Sequence, residues 1–83
     1  MLESQLQRKI IKQYENMGYY VVKIIQCSKP GFPDLMLLKD GKIIFIEVKQ
    51  KGKKLRPLQE YRKNEIIKQG FEYIVIDNVD NFI

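Results

Sequence analysis

Asp34, Glu47 and Lys49 are the residues whose types and spacing could do chemistry together in this chain. Asp34 closes the run Gly31-Phe32-Pro33-Asp34, and Glu47-Val48-Lys49 follows after two apolar runs, Leu35 to Leu38 and Ile43 to Ile46, divided by Asp40-Gly41. An Asp-Gly pair between such runs is the strongest short-range signal for a two-residue hairpin. With that turn, Leu38 faces Ile43, Met36 faces Phe45 and Asp34 faces Glu47. Opposed residues share a face with Cβ atoms about 4.5–5.5 Å apart, and Lys49, two residues beyond Glu47, returns to that face. Two acids and a base therefore converge.

Like charges directly opposed on a sheet are destabilising, by about 0.2–1 kcal/mol when exposed and by more when desolvated. One reading offsets this with Lys49 as counter-ion to one acid, the other being solvated at the hairpin mouth. A second reading supplies Mg²⁺ or Mn²⁺, hard cations that take one or two carboxylates and keep several waters. Asp34 and Glu47 are then the metal ligands, with the carbonyl of Val48 as a third donor. An isolated acid-acid-lysine triple favours the ion pair, whereas the Gly-x-Pro lead-in and the hairpin favour the cation. Lys49 would position or deprotonate the attacking water, or stabilise charge building on a phosphate. The chain has no histidine, which excludes a Ser-His-Asp triad and histidine acid–base catalysis.

The elements around these residues can be read from periodicity. Leu2, Leu6, Ile10, Ile11, Tyr14 and Met17 recur at helical spacing, with Glu3 in the first turn and Gly18 as the stop. Tyr19 to Ile25 reads as a first strand, and residues 26–33, carrying Pro30, Gly31 and Pro33, as the loop that delivers Asp34. Both faces of the hairpin are apolar, so the sheet is expected to be covered on both sides. Gln50 to Arg56 is a basic loop, and Pro57 opens a second helix running to Gln69 with Gly70 as its stop. Phe71 to Ile76 is a fourth strand, which a right-handed crossover places parallel to the third. The predicted class is α/β (α+β), an αβββαβ core with a four-stranded mixed sheet flanked by helices. Asp77 or Asn78 would cap a short terminal helix.

Length and composition bound the rest. Eighty-three residues make one domain, and 45% hydrophobic residues argue against disorder. No apolar run approaches the roughly 20 residues of a membrane span, and the amino terminus lacks a signal-peptide pattern, so the expected location is cytoplasmic with no membrane partner. The single cysteine, Cys27, reads as an inert strand-end residue. Fifteen Lys and Arg against ten Asp and Glu give a net charge of +5, which fits a polyanion and also ordinary solubility. Lys51, Lys53, Lys54 and Arg56 directly follow the Glu47-Val48-Lys49 strand; they could track a phosphate backbone or form a solvated charge run.

Taken together, Pro33-Asp34 and Glu47-Val48-Lys49 resemble the signature of the PD-(D/E)XK nuclease superfamily, whose fold is restriction-endonuclease-like. The ordered set of Glu3, Gly31-Phe32-Pro33-Asp34-Leu35, Ile46-Glu47-Val48-Lys49 and Gln59 is similar to the stand-alone virus-type replication-repair nuclease (VRR-NUC) domain, and the resemblance runs from Glu3 to about Ile76. It implies cleavage of DNA to a 5′-phosphate and a 3′-hydroxyl, a preference for branched or structured DNA, and phage or mobile-element ancestry. It also implies that Glu3 helps to hold the metal or its waters and that Gln59 orients water or a phosphate oxygen. By themselves an acid in a first helical turn is a partner for the helix dipole and Gln59 is a surface amide. A homodimer presenting two sites is expected. The rivals are a non-catalytic nucleic-acid-binding module or subunit on the same fold, and a plain acid-binding surface with no nucleic-acid role.

Overall fold

In a computed structural model, residues 1–78 are described, and they follow the order α1 (Glu3–Asn16), β1 (Tyr20–Lys23), β2 (Leu35–Lys39), β3 (Lys42–Val48), α2 (Pro57–Lys68) and β4 (Glu72–Ile76). One mixed sheet has the strand order β1-β2-β3-β4, with β1, β2 and β3 antiparallel and β4 parallel to β3. The expected αβββαβ core and its parallel crossover are present.

The hairpin register is the one read from Asp40-Gly41: Leu38 pairs with Ile43, Leu37 with Ile44, Met36 with Phe45 and Leu35 with Ile46. Asp40 and Gly41 have φ of +52° and +77°, the two positive values that a type I′ turn requires and that match the twist of the strands. Only a residue tolerant of the left-handed region fits the first position.

The core lies between α1 and one face of the sheet. Leu6, Ile10 and Tyr14, spaced along one side of α1, pack with Leu35, Leu37, Ile46, Val48 and Ile76. Each such side chain contributes about 1.5–3 kcal/mol through burial. Leu2 and Met17, the ends of the predicted stripe, are exposed. Lys39 Nζ donates to the Met17 carbonyl at 2.9 Å and lies 4.9 Å from the centre of the Tyr19 ring, which ties the end of α1 to β2.

Coverage of the opposite face differs from expectation. There α2 buries one residue, Ile66, over the β3–β4 half, while Met36, Leu38 and Ile43 remain half-buried and Tyr20 is exposed. The crossover confines α2 to the strands it connects, and among the described residues nothing follows that could cover β1 and β2.

The first strand is also shorter than the apolar run suggested. Ile24 donates its N–H to the Asp34 carbonyl at 2.8 Å, but Ile25 is 85% exposed, because β2 begins at Leu35 and offers no further partner. Cys27 lies exposed in the following loop and not at a strand end. The short terminal helix that Asp77 or Asn78 would cap lies outside the described residues.

Candidate active site

Asp34 reaches the site because the loop before it is pinned. Arg62 Nε donates to the Pro30 carbonyl at 2.9 Å, Pro33 is buried, and Gly31, at φ +78°, presses against α2 so closely that a Cβ there would lie 2.8 Å from Leu58 Cγ. Helix and loop can meet at this distance only over a glycine.

The Ile24–Asp34 bond turns the Asp34 backbone toward β1, so Leu35 is the residue that pairs through its backbone with Ile46. One step on, Asp34 and Glu47 oppose each other as a non-hydrogen-bonded pair, the kind in which side chains approach most closely. The two carboxyls are within hydrogen-bonding reach of each other. Asp34 Oδ2 also accepts the Val48 N–H at 2.9 Å. Since the N–H and C=O of a strand residue point to the same edge, the Val48 carbonyl is directed to the Asp34 side as well.

Glu47 is 3% exposed and Lys49 6%. The Lys49 Nζ to Glu47 Oε2 distance is 4.0 Å, an ion pair too long to be a hydrogen bond. Burial, and then the Asp34 charge, push the Glu47 carboxyl up to about 8, against the opposing pull of Lys49. Asp34 is raised chiefly by burial, with the Val48 N–H working against the shift. With Glu47 at about 8, the acid pair holds a proton at neutral pH.

Gln59 is not a free surface amide. Its Oε1 accepts the Arg56 N–H at 2.9 Å, as the third residue of α2 does in a capping box, and its Nε2 donates to Glu47 Oε2 at 3.3 Å. One side chain thus joins the start of α2 to the acid pair. Glu3, the first residue of α1, contributes to the shifts of Asp34 and Glu47 as a like charge. It does not join them in a ligand cluster: among the described residues no group of three or more His, Cys, Asp or Glu is close enough to hold one metal ion. Lys51, Lys53, Lys54 and Arg56 are all exposed in the loop between β3 and α2.

Tyr73 is the site residue that sequence reasoning passed over. It pairs with Phe45 in the β3–β4 register, one side-chain step before Glu47 on the same face. Its hydroxyl is buried with no hydrogen-bond partner among the described residues, and so is Glu47 Oε1. Burial, then Glu47, Asp34 and Glu60, hold the phenol well above its ordinary range. Nothing local in Phe71 to Ile76 signals this, because the neighbour is on another strand.

The donor set suits a hard divalent cation. The Asp34 and Glu47 carboxyls stand together, the Val48 carbonyl is directed by the strand to the Asp34 side, and Glu47 Oε1 finds no donor among the described residues. With both acids ionised, the triad carries a charge of −1, which a divalent ion turns to +1, the complement of one phosphodiester.

The family model described as the VRR-NUC domain matches residues 2–80. Putative nuclease p44 of Acyrthosiphon pisum secondary endosymbiont phage 1 is 30% identical over 79 residues, covering 94% of this chain and 85% of that protein. A solved structure described as a VRR_NUC domain superposes with a TM-score of 0.87 at 28% identity, covering 96% of this chain and 88% of that one.

Proposed function

Because the chain belongs to the VRR-NUC domain family, we propose that it is a divalent-metal-dependent nuclease that hydrolyses DNA phosphodiester bonds. The observation that carries this reading is the buried Glu47 opposed by the half-buried Asp34, with the buried Lys49 beside them. Two opposed acids, one buried and one partly withdrawn from water, against one lysine 4.0 Å from Glu47, are a poor structural ion pair and a good cation site. The relative named a putative nuclease supports the same class of activity.

Asp34, Glu47 and the Val48 carbonyl would hold Mg²⁺ or Mn²⁺, which supplies a Lewis acid that lowers the pKa of a water and offsets phosphate charge. The Val48 N–H fixes the Asp34 carboxylate, and Gln59 fixes one oxygen of Glu47. Lys49, with its ammonium held close to Glu47 without a hydrogen bond to it, is left to orient the attacking water or meet the negative charge that builds on the phosphate. Glu3 acts from the end of α1 on ordered water and not as a direct ligand.

Both helices pack on the sheet, so neither projects as a base-reading helix among the described residues. The reading therefore favours DNA shape, including branched or junction DNA, over base sequence, and a homodimer that sets two sites on one substrate. The test is incubation with supercoiled, linear and four-way-junction DNA in Mn²⁺, Mg²⁺ or EDTA. Cleavage with either metal and none with EDTA is expected, fastest on the junction. DNA binding without cleavage under every metal would instead make this a binding module, and the absence of both would remove the nucleic-acid role.

A further inference from the structure

The Tyr73 hydroxyl is fully buried among acceptors and yet bonds to none of them. A buried donor without a partner costs on the order of 1–3 kcal/mol, and native structures hold few of them, so each calls for an explanation. Here the explanation lies one side-chain step away. Glu47 Oε1, on the neighbouring strand and the same face, is a buried acceptor that also lacks a partner. The other groups around the phenol are Asp34 from β2 and Glu60 from α2, both negative, and Lys63 from α2, whose Nζ stands 6.0 Å from the ring centre. Among these, Glu47 is the one whose free oxygen matches the free donor. The other Glu47 oxygen is already held, by Gln59.

We propose that Tyr73 is a positioning residue for Glu47: its hydroxyl donates a hydrogen bond, directly or through one water, to the Glu47 carboxylate and fixes its orientation toward a divalent cation. This rests on the metal-dependent reading given above. The ring is anchored in β4 under α2, so the donor is aimed by a rigid element. Gln59 and Tyr73 then grip Glu47 from α2 and β4, as outer partners commonly orient a ligating carboxylate. Tyrosine acts here only as a donor, its proton retained throughout.

The test is Tyr73→Phe, which keeps the ring and removes the hydroxyl. Binding of Mn²⁺ to the protein alone, measured by titration calorimetry, should weaken about 10–100-fold, the usual effect of losing such a partner. Thermal stability in EDTA should stay level or rise, since without metal the hydroxyl has no direct protein bond to lose. Equal Mn²⁺ affinity in the two proteins would overturn the proposal and leave the nuclease reading standing. A parent that binds no Mn²⁺ would overturn both. If the variant does not fold, the unsubstituted protein decides: on titration with Mg²⁺ the Tyr73 ring resonances should shift while those of the exposed Tyr20 do not, and an unmoved Tyr73 would refute the role.

Discussion

Glu47 is where stability and chemistry pull in opposite directions. Its carboxyl sits at about 8 in the fold against an ordinary 4.5. Between those two values the unfolded chain has released the proton that the folded chain retains, so stability in the absence of metal falls as pH rises through that window and levels off above it. The proposed cation would bind the ionised form and would have to displace that proton. Glu47→Gln separates the two demands. The amide can still accept from Gln59 and donate to Asp34, imitating the protonated acid, but it cannot ionise. In EDTA the variant should match the parent near pH 5 and melt several degrees above it near pH 8, given that about 1 kcal/mol moves the midpoint of a domain this size by roughly 4–8 °C. Cleavage should be lost in the same variant. Parallel melting curves for the two proteins from pH 5 to 9 would show that Glu47 is solvated and uncoupled, contrary to its 3% exposure.

At the scale of elements, the hairpin was legible in the sequence because one turn sets it: Asp40-Gly41 determines the register from Leu35–Ile46 to Lys39–Lys42, and the opposition of Asp34 and Glu47 follows. The side of α1 that is buried was legible for the same reason, a local period. What was not legible depends on how elements dock. Ile24 and Ile25 are as apolar as a strand should be, yet β1 stops at Lys23 where its partner stops. The place of Tyr73 beside Glu47 needs the parallel β3–β4 register, which α2 sets from a distance. Gln59 carried a readable local signal, a glutamine two residues after a first-turn proline, but its second bond, to Glu47, depends on where α2 comes to rest. That double duty is testable. Gln59→Ala removes both bonds and should cost about 1 kcal/mol through the cap alone. Gln59→Glu keeps an acceptor for Arg56 but sets a third acid against Glu47. Its melting point should therefore recover toward the parent at pH 5 and fall below Gln59→Ala at pH 8. Identical melting of the two variants at both pH values would show that the bond to Glu47 contributes nothing.

Across the whole molecule, chemistry and positive charge gather at one end of the sheet. The acid pair stands at the end of β3, and the basic loop leaves from that same end. Its first residue is held by the Lys49 N–H bond to the Ile76 carbonyl at 3.0 Å, and its last, Arg56, by Gln59. Tethered at both ends to the site, the loop cannot carry Lys51, Lys53 and Lys54 far from it. All three are exposed, and none forms an ion pair among the described residues. A net charge of +5 by itself implies only a general attraction to polyanions, so position has to decide between a phosphate track and a solvated run. Replacing the three lysines with glutamine should weaken DNA binding in Ca²⁺ alike for all base sequences and flatten the dependence of affinity on salt by up to about 0.9 for each phosphate that is no longer neutralised. Lys42 is the control, because it lies exposed at the opposite end of β3, about 17 Å from Glu47 at roughly 3.4 Å per strand residue. Lys42→Gln should leave the slope nearly unchanged. If the triple variant and Lys42→Gln flattened it equally per charge removed, the attraction would belong to the net charge of the molecule and the loop would have no track of its own.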